Sequence, residues 1–148
     1  MTQSFPIETV RKPHFLKEEE RFCFDLLLKA VGSDCYIIPK VRVADIFETS
    51  SQKENQEFWA KFDHFGQKHV DFLICKKSDS SPFAVLLLKG ESHHEILSDN
   101  EFIIEIFSKA NIGILTISLA EMHGDKTDSD IEALKNRILQ LHQFSDEQ

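Results

Sequence analysis

Residues 69–89, HVDFLICKKSDSSPFAVLLLK, hold two apolar stretches separated by KKSDSS, a short run of turn formers. The spacing predicts a β-hairpin, because a linker of this length and composition joins antiparallel neighbours. The second stretch carries the uninterrupted run Ala84–Leu88. A strand of that kind is covered on both faces, so the hairpin belongs at the centre of a sheet with helices packed on each side.

Working outward, CYIIPKVRV reads as a strand over 35–43, with Pro39 best placed at an edge because it cannot donate to a ladder. Before it, Phe15, Phe22, Cys23, Leu26, Leu27 and Ala30 fall on one helical face that Gly32 terminates. Between this strand and the hairpin, the polar ADIFETSSQKENQ precedes Phe58, Trp59 and Phe62, which sit at helical spacing ahead of Gly66. After the hairpin, Ser98 and Glu101 have capping-box spacing and introduce a helix over 99–110. GILTISL, from Gly113, is a further strand, and Ser129 with Glu132 opens a last helix bearing Ile131, Leu134, Ile138 and Leu141. The order α, β, α, β, β, α, β, α predicts an α/β fold: a three-layer-like sandwich with a central mixed four-stranded sheet flanked by helices.

The chain has 148 residues, 41% hydrophobic and 28% charged, which suits one domain. Residues 1–14, with Pro6 and Pro13, are expected to be an extended arm, and 15–148 the domain itself. No apolar run approaches the roughly 20 residues of a membrane helix, and MTQSFPIETVRK has no hydrophobic signal segment, so a cytoplasmic protein without membrane contact is expected. Cys23, Cys35 and Cys75 form no C-x-x-C pair and read as reduced, buried thiols. The net charge of −8 is uneven: residues 1–77 hold 12 basic and 12 acidic side chains, residues 78–148 hold 5 and 13. Duplex binding draws on an excess of Lys and Arg. Any nucleic-acid contact therefore falls to the first half, where Lys40, Arg42, Lys61, Lys68, Lys76 and Lys77 are scattered as on an ordinary solvated surface.

Asp71 is the one ionisable residue inside HVDFLIC. If the turn pairs Cys75 with Phe83, Asp71 lies opposite Leu87, and Leu87 and Lys89 flank it on one face at the end of the sheet. The segments FLKEEERF, PKVRVADIF, QKHVDFLIC, PFAVLLLKGESHHE and ANIGIL together resemble a bacterial domain-of-unknown-function family placed in the restriction-endonuclease-like PD-(D/E)xK nuclease superfamily, related in fold to very-short-patch repair endonucleases. The likeness spans residues 15–118. It implies an aspartate on one strand and a Glu-x-Lys or Asp/Glu-x-Lys on the next that together hold Mg²⁺, which polarises a phosphate and activates water. Carried over by position, the first acid is Asp71, the second falls on Leu87, and the residue two beyond is Lys89. Where E-L-D is the pattern expected, this chain reads Leu87-Leu88-Lys89, and Ile103 and Ile104 stand where polar residues look usual.

A leucine offers no lone pair to a hard cation. Rescue would require Glu19, which resembles the helix-one acid of relatives, or an acid migrated to Glu91 or Glu95; Asp71 with Glu91 would then be the metal pair. Against this stand plain structural roles: a backbone-bonded strand acid for Asp71, a helix-start acid for Glu19, a snorkelling lysine for Lys89. The adjacent His93 and His94 cannot both face one metal on a regular element. No phosphate-binding Gly-rich motif or Ser-His-Asp arrangement stands out.

The reading favours a catalytically degenerate domain retained for binding or structure, linked to DNA maintenance, mobile elements or defence, with no resident cofactor and an unidentified protein or nucleic-acid partner. The enzymatic alternative is a Mg²⁺-dependent DNA endonuclease using Asp71, Glu19 and Lys89. A third is a homodimeric or scaffolding protein joined through Phe58, Trp59, Phe62 and Phe65, which core packing would equally explain.

Overall fold

A computed structural model describes residues 8–48, 55–90, 100–122 and 124–146. Helix α1 (Glu18–Val31) begins where three consecutive glutamates can face the positive end of the helix dipole. Phe15 therefore lies outside the helix and is 64% exposed, and Phe22 is also exposed, so the buried stripe is Cys23, Leu26, Leu27, Ala30 and Val31. Gly32 closes the helix, its N–H donating to the Leu28 carbonyl at 2.9 Å.

Strand β1 (Cys35–Arg42) stops one residue short of the sequence expectation, because Val43 turns inward to open a single helical turn, α2 (Val43–Ile46). Helix α3 (Gln56–Phe65) is capped by Asn55, whose side chain accepts from the Phe58 N–H at 3.0 Å. Strands β2 (His69–Lys76) and β3 (Pro82–Lys89) form the expected hairpin. At its turn, Asp79 Oδ1 accepts from both the N–H and the hydroxyl of Ser81, and Ser80 is left-handed (φ 59°). The irregularity between Ile74 and Cys75 pairs Cys75 with Pro82 rather than Phe83. Beyond the bulge the pairs Ile74–Ala84, Leu73–Val85 and Phe72–Leu86 follow the register expected for Asp71.

Helix α4 (Glu101–Lys109) crosses over to β4 (Gly113–Ser118), which pairs with β3 in parallel from Ala84–Gly113 to Lys89–Ser118. Its N-cap is Asn100, which accepts from the Ile103 N–H at 3.2 Å, and Ser98 lies outside the described residues. After α5 (Leu119–Met122), helix α6 (Asp128–Asp146) opens two residues before the expected cap, through Thr127 and Asp130. Asp130 Oδ2 accepts from the Thr127 N–H at 2.9 Å, and Thr127 Oγ1 accepts from the Asp130 N–H at 3.2 Å.

The sheet order is β1-β2-β3-β4, with an antiparallel meander and one parallel pair, so the hairpin strands are central and β1, with Pro39, is an edge. Helices cover both faces. On one, Cys23 and Leu27 of α1 and Ile138 of α6 share a layer with Phe72, Ile74, Leu86 and Leu88. On the other, Ile103 and Phe107 of α4 pack with Val70, Leu73, Val85 and Leu87. This explains the unbroken run in β3: residues 84–88 alternate between two cores, and each fully buried Leu or Val contributes about 1.5–3 kcal/mol relative to exposure. The fold is an α/β sandwich with a mixed four-stranded sheet. Among the described residues no helix is long and apolar enough to cross a membrane.

Candidate functional site

Asp71 stands at the end of the hairpin remote from its turn, where the paired register of β2 and β3 stops at Phe72–Leu86. Its Oδ2 accepts the Leu88 N–H at 2.8 Å, so a side chain takes over a strand amide at the point where regular pairing ends. Alternation along β2 slips here: Val70 and Leu73, three residues apart, lie in the α4-side layer, while Phe72 lies in the α1-side layer. Across the ladder, between the pairs Pro39–Phe72 and Val41–Val70, stands Lys40 with a left-handed backbone, φ 54°. Both strands depart from regular geometry at the same rung.

Leu87 is 4% exposed and packed with Val85, Ile103 and Phe107 on the α4 side. Burial, with Asp71 as the second cause, pushes the Cys23 thiol up to about 12. Burial also raises Cys35 and Cys75, so all three thiols, which are free and buried, stay protonated at neutral pH. Lys89 is half-buried at the end of β3, beside Ser118 of β4.

On α1 the inward acid is Glu20, not Glu19. Glu19 is exposed, whereas Glu20 is 9% exposed. The Glu20 carboxylate accepts the Lys17 N–H at 2.8 Å, and its Oε1 lies 3.7 Å from Lys40 Nζ. The sequence held the signal: Glu20, Cys23 and Leu27 fall at i, i+3 and i+7, on the stripe that faces the sheet. Lys40 also donates to the Phe15 carbonyl at 2.6 Å and lies 4.5 Å from the centre of the Phe15 ring. In the sequence it is one scattered basic residue among several.

The remaining candidates are placed unevenly. Glu91, Glu95, His93 and His94 lie outside the described residues. Ile103 is fully buried, while Ile104 is 43% exposed. Phe62 is buried and Phe58, Trp59 and Phe65 are half-buried, tied through ring contacts to Phe47 and Phe102. Among the described residues no group of three or more His, Cys, Asp or Glu side chains is disposed to hold a metal ion.

Residues 12–138 match the family model of a protein of unknown function, DUF2726. The chain belongs to the DUF2726 family. No curated protein and no solved structure matches it. The matched span of this DUF2726 domain takes in α1, all four strands and the first half of α6, and therefore every residue placed at this end of the sheet.

Proposed function

We propose that this domain is a catalytically degenerate relative of the PD-(D/E)xK nucleases, retained to bind a protein or nucleic-acid partner in DNA maintenance, mobile-element or defence biology. What supports the reading is Leu87. It occupies the position that the resemblance gives to the second metal-binding acid, and it is buried in the α4-side core. The mixed sheet, with Asp71 and Lys89 on adjacent central strands, suits the same ancestry. The donor set does not suit the metal: Mg²⁺ requires near-octahedral oxygen ligation, Leu87 supplies none, and one Asp71 oxygen already accepts the Leu88 amide.

The test is a calorimetric Mn²⁺ titration of the wild-type chain beside Asp71→Asn, Mn²⁺ being a sensitive reporter of hard-ligand sites. The expected result is no saturable heat in either protein. Saturable uptake by the wild type that disappears in Asp71→Asn would replace this reading with the Mg²⁺-dependent endonuclease.

A further inference from the structure

The aromatic side chains of α3 meet a further ring from outside that helix. Phe47, just beyond α2, stands 6.4 Å from Phe62 with the ring planes at 77°, and Trp59 stands 6.0 Å from the same ring at 79°. Phe62 is 8% exposed and forms a floor, from which the half-buried Phe47 and Trp59 rise as walls. Phe58, with Ile106 and Ala110 of α4, completes the apolar lining. The hollow measures about 360 Å³, within the span of about 300–1,000 Å³ that small-molecule sites occupy.

Two charged side chains also line it, Glu48 and Lys109. Lys109 is matched, its ammonium lying 3.0 Å from the Glu105 carboxylate. Glu48 is exposed and has no ion-pair partner among the described residues. The uncompensated charge at the rim is therefore negative. The faces of aromatic rings are negative too, because the π-electrons carry a quadrupole. Both features attract a cation, repel an anion and offer an uncharged group nothing beyond contact area. The lining discriminates further among cations. A primary ammonium is strongly hydrated and needs acceptors to replace its water, whereas a quaternary ammonium spreads its charge over methyl groups that an apolar wall can touch.

We propose that this hollow is a binding site for the quaternary ammonium group of a small organic molecule, held against Phe47, Trp59 and Phe62 with the Glu48 carboxylate balancing its charge. The site uses neither Asp71 nor Lys89 and is independent of the nuclease ancestry. It gives the aromatic cluster of α3 a role that neither core packing nor an interface between copies supplies.

Trp59 is the one tryptophan of the chain, so its fluorescence reports on the hollow without a label. The experiment titrates the full chain with choline and, in parallel, with the uncharged alcohol in which carbon replaces the choline nitrogen, at ionic strength held constant with NaCl. The expected result is a saturable change in Trp59 emission with choline in the millimolar range, and binding of the alcohol at least about tenfold weaker. Glu48→Gln should weaken choline severalfold and leave the alcohol unaffected. Phe47→Leu, which keeps apolar bulk but removes a π face, should weaken choline more than the alcohol. Glu48 is exposed, so its variant keeps the test open should Phe47→Leu fold poorly. Equal binding of the two compounds would reduce the hollow to an apolar dimple and overturn the site, as would the absence of a saturable change with choline. Acrylamide quenching of Trp59 that falls as protein concentration rises would assign the aromatic face to a second copy of the chain and overturn it as well.

Discussion

The hydrogen bond between the Leu88 N–H and Asp71 Oδ2 joins β2 and β3 where their ladder ends, and it makes Asp71 a structural residue whatever else it does. Removing the acceptor leaves a partly buried amide unpaired. Asp71→Ala is therefore expected to cost about 1–3 kcal/mol in urea-denaturation stability, whereas Asp71→Asn, which keeps a carbonyl acceptor, should cost less. Position 87 gives a sharper contrast. Leu87→Glu restores the acid implied by the resemblance but places its carboxylate among Val85, Ile103 and Phe107. The expected outcome is a loss of about 3 kcal/mol or more, read from the shift in urea midpoint, without gain of Mg²⁺-dependent cleavage of plasmid DNA. A stable, cleaving Leu87→Glu protein would contradict the assignment of position 87 to the core. Asp71 was legible in the sequence because an acid inside an apolar strand is conspicuous. Glu20 was legible only through the helix phase, because three adjacent glutamates are chemically identical until the stripe of Cys23 and Leu27 selects one.

Among the elements, hydrophobic periodicity was a good guide to the large helices and strands and a poor one to their ends. Ser129 and Glu132 have the right spacing for a cap, but so do Thr127 and Asp130, and only the chain's actual entry into α6 distinguishes them. Likewise the register irregularity after Ile74 adjoins the turn closed by Asp79 and Ser81, which composition marks only as a turn. Asn100→Ala, which removes the α4 cap, should lower stability by about 1 kcal/mol in chemical denaturation. The α6 cap should respond to acid. The Thr127 amide and hydroxyl hold the Asp130 carboxyl below its ordinary value of 3.8. A depressed carboxyl stabilises the fold fully above that unfolded value and loses the contribution as pH falls through the lower folded one. Below pH about 4, amide exchange in the first turn of α6 should accelerate relative to Asp130→Ala, which has no carboxylate to titrate.

At the scale of the molecule, two cores share one sheet, with Cys23 and Cys35 in the α1-side layer and Cys75 in the α4-side layer. A thiol reagent therefore reports on both cores at once. At pH 8 none of the three should react in the native state, and in increasing urea all three should become reactive at one midpoint, read by mass spectrometry of pulse-labelled protein. Separate midpoints would mean that the two faces unfold independently. The sign with pH follows from the raised thiol values: their contribution is complete below the unfolded value of 9.0 and is withdrawn as pH climbs, for Cys23 toward about 12. The architecture was legible because a doubly covered strand, a short hairpin and alternating helices admit few arrangements. The partner was not, since scattered charge and local apolar patterning carry no record of what a surface meets.

Helix α1 packs into the same layer as Ile138 of α6, more than a hundred positions later in the chain. During synthesis α1 leaves the ribosome well before α6, so the covering of its apolar stripe is complete only when α6 follows. At about 5–20 residues per second that interval lasts several seconds, during which Cys23, Leu26 and Leu27 remain open to chaperones and to neighbouring nascent chains.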